Sequence, residues 1–319
     1  MAQILCVQAI CEEGMDLLRK GSDLKIASNP AEETVVREGQ QAEALIVRLT
    51  KVSAGLIASL PTLRVIGRNG VGVDNIDVGA ATRQGVLVIN VPGENARSVA
   101  EHVIALLLCL AKNLIASDRH IREGRYRERD KLRGHEIFEK TLGVVGLGQV
   151  GRLVSAMASH GLGMKVIGYD PLLPSAAFPA GVERKASLPD LLREAEAVTV
   201  HVPLTAETRD LFNKRTFALM KAGSVFINTA RGGICNEQDL REALVAGHLA
   251  GAGVDVFSSE PPQNDNPLLS LPNVILTPHL AGLTHESTTR TEIMLATDVL
   301  RGLRGETPRN PVNPQAWPK

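Results

Sequence analysis

Residues 141–152, with the sequence TLGVVGLGQVGR, constrain the fold of this chain more than any other stretch. A short apolar run ends at a glycine-rich turn, and a helical pattern begins directly after that turn. This order predicts a strand that turns tightly into a helix, which is the context that a dinucleotide-binding turn requires. Gly146 would form the turn, Gly148 would let a pyrophosphate approach the backbone, and Gly151 would let helix and strand pack closely.

Asp170 indicates which dinucleotide such a turn binds. It follows directly after the next apolar run, residues 165–169, and lies about 20 residues after Gly151. In dinucleotide-binding domains an acidic residue at this place holds the hydroxyls of the adenosine ribose. A carboxylate there accepts hydrogen bonds from a free 2′-hydroxyl and repels a 2′-phosphate, and residues 171–173 contain no basic side chain. We therefore predict NAD as the cofactor. The alternative is a glycine-rich turn that binds no ligand, and Asp170 argues against it.

Composition and charge exclude several classes of protein. The chain has 319 residues, enough for two domains, with zero formal net charge and 3% aromatic residues, so nothing indicates a nucleic-acid or membrane partner. The four cysteines form neither a CxxC pair nor a metal-ligand cluster, which predicts reduced thiols, no metal site and a cytoplasmic location. The longest apolar run, residues 103–111, is too short to cross a bilayer, and the first residues lack the basic segment of a signal peptide.

Short apolar runs alternate with helical patterns along the whole chain, which predicts an α/β fold with parallel sheets covered on both faces. The first block has predicted strands at residues 4–7, 24–27, 44–47, 64–67 and 86–89, and predicted helices at 12–20, 31–41, 53–60 and 76–84. The second block has predicted strands at 142–145, 165–169, 198–202, 225–228, 253–256 and 274–276, and helices at 188–194, 214–220 and 237–246. The second block is typical of a doubly wound, Rossmann-type sheet.

Three further segments set the predicted domain boundaries. One continuous helix is predicted over residues 96–120, where its length indicates a link between domains or a surface for self-association, and a charged loop is predicted over 121–137. A last helix, at about 285–304, is expected to return to the first domain. We therefore assign residues 1–95 and 286–319 to a smaller α/β domain, and residues 96–285 to the NAD-binding domain.

Three polar side chains follow predicted strands of the second block. Arg231, Glu260 and His279 come after the strands that end near residues 228, 256 and 276. Ligands of open parallel sheets bind beyond the carboxyl ends of the strands, so these side chains are expected at the edge where a nicotinamide would lie. There His279 can exchange a proton with a ketone or alcohol oxygen, and Glu260 can favour its imidazolium form and orient its ring. Arg231 can bind a carboxylate through charge-assisted hydrogen bonds.

Each of the three residues also has an interpretation without catalysis. His279 could be a capping or core histidine, Glu260 taken alone is better explained as a solvated loop acid, and Arg231 could form a surface salt bridge. The two glycines after Arg231 argue against the last of these, since they indicate close approach of the backbone to a neighbour.

Several motifs along the chain occur in the same order as in a known family. They are VRLTKV at 47–52, GRNGVGVDNID at 67–77, NVPGENARSVAEHVIALLL at 90–108, LGVVGLGQVGR at 142–152, NTARGGI at 228–234, GVDVF at 253–257 with Glu260-Pro261, and TPHLAG at 277–282. The chain resembles the D-isomer-specific 2-hydroxyacid dehydrogenases, particularly the phosphoglycerate dehydrogenase branch. The resemblance implies a Rossmann NAD domain, a smaller flavodoxin-like substrate domain, and a dimer formed through the NAD domain.

The resemblance also implies roles for individual residues. Arg231, Glu260 and His279 match the catalytic trio of the family. For the cofactor, it implies that the pyrophosphate meets Gln149 and Val150 beside Gly146, Gly148 and Gly151, that Asp170 holds the ribose, and that Thr229, Asp255 and the turn from His279 to Gly282 face the nicotinamide. For the substrate, it implies that the loop Asn69, Gly70, Val71 and Gly72 wraps the carboxylate with backbone N–H groups and that Arg48 binds acid groups.

Some positions depart from the family pattern. Val71 stands where phosphoglycerate-specific relatives carry a small hydroxyl residue, and Cys235-Asn236 replaces an apolar-acid pair. With 319 residues, the chain is expected to lack the C-terminal regulatory domain of many relatives. Arg48 and Arg68 favour a second anionic group on the substrate, as in phosphohydroxypyruvate, sulfopyruvate or a dicarboxylate, while hydroxypyruvate and glyoxylate also stay open.

The resulting expectation is an NAD-dependent enzyme that interconverts a small 2-hydroxy acid and its 2-oxo acid, of the phosphoglycerate or hydroxypyruvate type. The alternative is an NAD(H)-sensing regulatory protein on the same fold, because a fold does not determine a function. The three filled catalytic positions favour the enzyme, whereas NADH binding without turnover of any 2-oxo acid would favour the sensor.

Overall fold

The structure is a computed structural model that describes residues 1–316. The chain forms two compact units, one from residues 1–95 together with residues from 283 onward, and one from residues 96–282. Each unit is built around its own parallel sheet.

The first unit begins with five strands that alternate with four helices. Its five-stranded sheet has the order β2-β1-β3-β4-β5, and all pairs are parallel. This is the flavodoxin-like strand order, as predicted for the smaller domain. The elements are β1 (Gln3–Cys6), α1 (Glu12–Gly21), β2 (Asp23–Ile26), α2 (Glu32–Glu38), β3 (Ala44–Val47), α3 (Ala54–Ala58), β4 (Val65–Arg68), α4 (Val78–Arg83) and β5 (Leu87–Ile89).

The second unit is larger and has seven parallel strands. Its elements are α5 (Ala96–Ala111), α6 (Leu114–Arg122), β6 (Thr141–Val145), α7 (Gln149–Ala156), β7 (Lys165–Tyr169), β8 (Val182–Arg184), α8 (Leu188–Glu194), β9 (Ala197–Val200), α9 (Lys214–Leu219), β10 (Ser224–Asn228), α10 (Glu237–Val245), β11 (Leu249–Val254) and β12 (Val274–Leu276). The strand order is β12-β11-β10-β9-β6-β7-β8. Strands β7 and β8 are added on one side of β6 and strands β9 to β12 on the other, as in doubly wound dinucleotide-binding sheets. The predicted α/β class with a Rossmann-type sheet is therefore confirmed.

The chain then returns to the first unit through α11 (His285–Leu303), whose apolar face packs against β4 and against helix α1. Leu295, Ala296 and Val299 of this helix are fully buried, together with core residues of β1 and β3. Gly67 of β4 allows the close approach, since a Cβ atom there would lie 2.6 Å from Cγ2 of Val299. Helix α11 thus lies directly on β4.

The predicted continuous helix over residues 96–120 is wrong. The structure ends α5 at Ala111 and starts α6 at Leu114, and the two helices are bent by 60°. The break centres on Asn113, whose φ of 52° is left-handed, a conformation that asparagine tolerates better than most residues. Hydrophobic periodicity continues across this break, so it could not be read from the pattern of apolar residues.

Two strands also differ from the sequence prediction. Strand β8 was missed because its three residues are mostly exposed and show no alternation. Strand β11 begins at Leu249, earlier than predicted, because its small residues carry no strand pattern. Those small residues serve packing, since a Cβ atom on Gly253 would contact Cβ of Leu106 at 3.1 Å, so helix α5 lies directly on the strand.

Among the described residues, no single helix is long and apolar enough to span a membrane. Helices α5 and α6 meet the length and composition criteria only when they are taken together, across the 60° bend.

Candidate active site

The carboxyl ends of the strands in the second unit are aligned in one row. Val145 pairs with Tyr169 and with Val200, and Asn228 pairs with Val200 and with Val254. Since Val254 also pairs with Leu276, the residues that follow these strands share one edge of the sheet. The glycine turn, Asp170, Arg231 and His279 therefore all lie along that edge.

The glycine turn has the backbone geometry that requires glycine at two positions. Gly146 has a φ of +91°, and a Cβ atom there would lie 2.8 Å from the carbonyl oxygen of His201. A Cβ atom on Gly151 would overlap the carbonyl oxygen of Gly146, so this glycine permits the first turn of α7 to close on β6. Gly148 differs from both, because a Cβ atom there meets nothing within 4 Å. Its lack of a side chain is not needed for packing, which is the property expected where a ligand approaches the backbone.

The start of α7 offers hydrogen-bond donors to an anion. Within residues 1–316, the backbone N–H groups of Gly148, Gln149 and Val150 donate no hydrogen bond to the protein. Beside them, Asp170 accepts from the N–H of Leu147 at 2.9 Å and from the N–H of Leu172 at 3.0 Å. The donors at a helix N-terminus fit a pyrophosphate, and a carboxylate at the end of the neighbouring strand fits ribose hydroxyls.

Thr229 provides a second observation that fits a dinucleotide. It follows β10, the residue is 8% exposed, and its hydroxyl has no hydrogen-bond partner in the described structure. Buried hydroxyls are normally satisfied, because an unpaired one costs about 1–3 kcal/mol. A polar ligand group at this edge of the sheet, such as a carboxamide, would supply the partner.

His279 and Glu260 form a hydrogen-bonded pair. Nδ1 of the histidine lies 2.7 Å from Oε2 of the glutamate, and both side chains remain about one-third exposed. The other oxygen, Oε1, accepts the N–H of Phe257 at 3.1 Å. Burial alone would raise the pKa of Glu260, but the hydrogen bonds from His279 and Phe257 and the nearby charge of Arg231 outweigh it and lower the pKa below its ordinary value. The glutamate is therefore ionised and accepts a proton-bearing Nδ1, which leaves Nε2 of His279 for other partners.

Arg231 is brought to this pair by close packing of two loops. The next residue, Gly232, lies against the backbone of Phe257 and Ser258, where a Cβ atom would overlap the carbonyl group of Phe257. The arginine donates from Nη1 to the carbonyl oxygen of Ala230 at 2.7 Å, and its own carbonyl accepts from the amide of Asn228 at 3.0 Å. The glycine after Arg231 thus lets the loop after β10 touch the loop that leads to Glu260.

Asp255 holds the turn that carries His279. It is fully buried, and it accepts from the hydroxyl of Thr277 at 2.5 Å, from the N–H of Leu280 at 2.9 Å and from the N–H of Ala281 at 3.0 Å. His279 has a left-handed φ of 51°, a conformation that costs a non-glycine residue about 1–2 kcal/mol. These three bonds from one carboxylate stabilise the turn in that conformation. Asp255, expected to face the nicotinamide, is thus seen to position His279.

Two histidines that the sequence analysis did not assign to the site lie next to it. Nε2 of His102 on α5 is 3.2 Å from the hydroxyl of Thr277, so it supports the same turn. Desolvation lowers the pKa of His102, and the charge of Asp255 only partly opposes this. His201 follows β9 beside the glycine turn, bonds the hydroxyl of Thr199 at 3.0 Å, and has its pKa lowered by desolvation to about 3. Both are therefore neutral around pH 7.

A model of the D-isomer specific 2-hydroxyacid dehydrogenase NAD-binding domain matches residues 104–281. The chain belongs to this family. Among curated proteins, the D-3-phosphoglycerate dehydrogenase of Archaeoglobus fulgidus is 42% identical over 98% of the chain. The chain spans only 59% of the length of that relative.

Solved structures share the fold of this chain. A protein from Thermus thermophilus has a TM-score of 0.90 at 32% identity, with 97% of this chain and 99% of that chain covered. The D-lactate dehydrogenase of Aquifex aeolicus, complexed with NAD and lactic acid, has a TM-score of 0.86 at 29% identity, with 98% and 99% covered. The second unit is accordingly an NAD-binding domain of the 2-hydroxyacid dehydrogenase family.

The first unit holds the predicted substrate residues at the carboxyl end of its own sheet. Gly70 has a φ of +134°, and within residues 1–316 the N–H groups of Gly70, Val71 and Gly72 donate no hydrogen bond to the protein. Arg68 turns back and donates from Nη1 to the carbonyl oxygen of Asn69. Arg48, by contrast, lines a cavity of about 290 Å³ that also contacts Asn69. The arginine that borders open space is therefore Arg48.

Glu292 of α11 was missed by the sequence analysis. It is 5% exposed, accepts the amide of Asn69 at 2.7 Å, and lies more than 200 residues away from it in the sequence. A single acid in an amphipathic helix gives no signal that it is buried, so only the packing of α11 reveals it. Within the part of the chain that the structure describes, no group of three or more His, Cys, Asp and Glu side chains is placed to hold a metal ion.

Proposed function

We propose that this protein is an NAD-dependent oxidoreductase that interconverts a small 2-hydroxy acid and its 2-oxo acid. The observation that carries the proposal is the His279–Glu260 hydrogen bond of 2.7 Å, at the sheet edge that also holds the glycine turn and Arg231. In this proposal residues 1–95 and 286–319 form the substrate domain, and residues 96–285 form the domain that binds NAD. The D-3-phosphoglycerate dehydrogenase and D-lactate dehydrogenase names of relatives support a small 2-hydroxy acid as substrate.

His279 is the proton donor and acceptor of the proposed reaction. With Nδ1 held by ionised Glu260, Nε2 is the nitrogen that gives a proton to the ketone oxygen or takes one from the alcohol. Glu260 stabilises the imidazolium that exists when the alcohol is deprotonated, and it keeps the ring in one orientation. When bound, NAD supplies the hydride acceptor, and NADH supplies the hydride donor.

Two groups of donors are proposed to bind the substrate carboxylate. Arg231 presents a planar guanidinium, which matches a carboxylate and polarises the neighbouring carbonyl. The N–H groups of Gly70, Val71 and Gly72 make no bond within the described protein, and a carboxylate would satisfy them. Arg48 is proposed to contact the remainder of the substrate from its cavity.

The proposed activity is tested by an NADH-oxidation screen. The purified chain is assayed with pyruvate, glyoxylate, hydroxypyruvate, phosphohydroxypyruvate and sulfopyruvate, and at least one is expected to be reduced with NADH. A chain that binds NADH in a fluorescence titration but reduces no 2-oxo acid would reject the enzyme and favour a nucleotide sensor.

Asp170 is proposed to make NAD the preferred cofactor over NADP. Replacing it with serine removes the charge that repels a 2′-phosphate, so the ratio of kcat/KM for NADH over NADPH is expected to fall about tenfold or more. The measurement is a pair of steady-state assays at saturating 2-oxo acid. Asp190→Ser, at an exposed acid of helix α8, is the control, and an unchanged ratio in Asp170→Ser would contradict the proposed role.

A homodimer formed through the NAD domain is also proposed. Helix α6 exposes about half of the side chains of Leu114 and Ile115 and 58% of Ile121, an apolar surface that a second copy would cover. Light scattering is expected to give the mass of two chains, and Ile115→Glu is expected to shift it towards one. A monomer at all concentrations would exclude the dimer. The four free cysteines support the proposed cytoplasmic location.

A further inference from the structure

The cavity beside Arg48 lies wholly within the first unit. It is formed where β1, β3 and β4 end, with Gln8 after the first strand, Arg48 after the second and Asn69 after the third. Helix α11 closes it with Glu292. A volume of about 290 Å³ is enough for a substituent of several atoms with water. Asn69 lines the cavity and also begins the loop proposed to hold the substrate carboxylate, so a substrate held by that loop would place its next atoms beside the cavity.

Glu292 is held rigidly in the wall of this cavity. Its Oε1 accepts the amide of Asn69 at 2.7 Å, and its Oε2 accepts the backbone N–H of Cys11. The side chain is 5% exposed, and neither of these partners carries a positive charge. The thiol of Cys11 also hydrogen-bonds Glu292. A carboxylate offers about four acceptor positions, so one position stays available for a donor inside the cavity.

The charges that line the cavity are therefore balanced. Arg48 supplies one positive charge and Glu292 one negative charge, and the other polar lining residues, Gln8 and Asn69, are neutral. A second anionic group on the substrate would gain from the arginine but would be repelled by the buried carboxylate. A hydroxyl can serve both groups, because it donates to the carboxylate and accepts from the guanidinium.

We propose that Glu292 is a specificity-determining residue which, with Arg48, selects a 2-oxo acid that carries an uncharged hydroxyl on C3. This inference rests on the proposed oxidoreductase function and narrows its substrate. It revises the expectation from the sequence, in which Arg48 favoured a second anion, because the balancing carboxylate lies far away in the chain. The preferred substrate class is a 3-hydroxy-2-oxo acid such as hydroxypyruvate.

The test compares three 2-oxo acids that differ only at C3. Pyruvate has no donor there, hydroxypyruvate has a hydroxyl, and phosphohydroxypyruvate has a second anionic group. The full-length wild-type chain with NADH is expected to give the highest kcat/KM with hydroxypyruvate. This ranking needs no substitution, so it tests the proposal even if a variant does not fold. A wild-type preference for phosphohydroxypyruvate or for pyruvate overturns the proposal.

Glu292→Gln removes the charge and keeps the shape of the side chain. The new amide retains an acceptor oxygen for the N–H of Cys11, and the amide of Asn69 can rotate by half a turn to accept from the new NH₂ group. The ratio of kcat/KM for phosphohydroxypyruvate over hydroxypyruvate is expected to rise about tenfold or more. The altered ratio is expected to arise from changes in KM for the 2-oxo acids, while the affinity for NADH stays as in wild type.

Glu13→Gln is the matched control. Glu13 is an exposed acid on helix α1, close in sequence to Cys11, and it does not line the cavity, so its removal is expected to leave the ratio unchanged. An unchanged ratio in Glu292→Gln, in a chain that turns over these substrates, overturns the specificity role alone. A chain that reduces none of the three acids, nor any other 2-oxo acid, overturns the proposed function as well.

Discussion

Replacing His279 with alanine is expected to lower kcat by about 10²- to 10⁴-fold, the contribution of a positioned proton donor. The variant loses the imidazole that is proposed to pass a proton to the substrate oxygen. Because the side chain is 37% exposed and its turn is held by Asp255 through other residues, the fold is expected to persist. The measurement is steady-state kcat with NADH and the best 2-oxo acid from the screen.

The binding of NADH separates lost chemistry from lost structure. His279→Ala is expected to bind NADH with an affinity within a few-fold of wild type in a fluorescence titration. His160→Ala, at an exposed histidine a few residues after the end of helix α7, serves as the control and is expected to keep full turnover. Turnover by His279→Ala above about a tenth of the wild-type rate would reject the histidine as the proton donor.

Replacing Gly148 with alanine is expected to weaken NADH binding about tenfold or more while leaving the melting temperature unchanged. The added methyl group meets no protein atom within 4 Å, and the φ of −68° suits alanine, so the free protein should tolerate it. It projects where the pyrophosphate is proposed to lie, and crowding of this kind costs about 1–3 kcal/mol, or roughly 5- to 150-fold in affinity.

Gly151→Ala is the matched comparison for this result. Its methyl group would overlap the carbonyl oxygen of Gly146, so stability and NADH affinity should fall together, with a loss of about 1–3 kcal/mol in the free energy of unfolding. The measurements are thermal melts and NADH titrations of both variants. If Gly148→Ala bound NADH as tightly as wild type, the proposed place of the pyrophosphate would be wrong.

Much of the fold could be predicted because it depends on local patterns. Apolar runs separated by turn residues mark buried parallel strands, and most predicted strands differ from the observed ones by one or two residues. The errors occur where the local pattern carries no information. Asn113 interrupts a helix whose apolar periodicity continues, and the small residues of β11 are in a strand because helix α5 packs on them.

Part of the candidate site could be predicted from local features of the sequence, and part depends on tertiary contacts. Arg231, Glu260 and His279 could be selected because each follows a predicted strand, and the ends of parallel strands share an edge. The resemblance named Asp255, but the network that supports His279 could not be predicted, since Asp255, Thr277 and His102 make contact only when the turn is built. Their contacts join residues that are 22 and 175 positions apart in the chain.

The sequence alone determined the fold class, the family and the expected cofactor, because strand and helix periodicity, the glycine turn and Asp170 are short-range features of the chain. The tertiary structure decided which charges meet in the first unit. The family resemblance indicated Arg48 but not its counter-charge, because Glu292 reaches the same cavity only when α11 packs on the first sheet. Electrostatic balance depends on distance in space, and for residues so far apart in the chain only the packing of the helix sets that distance.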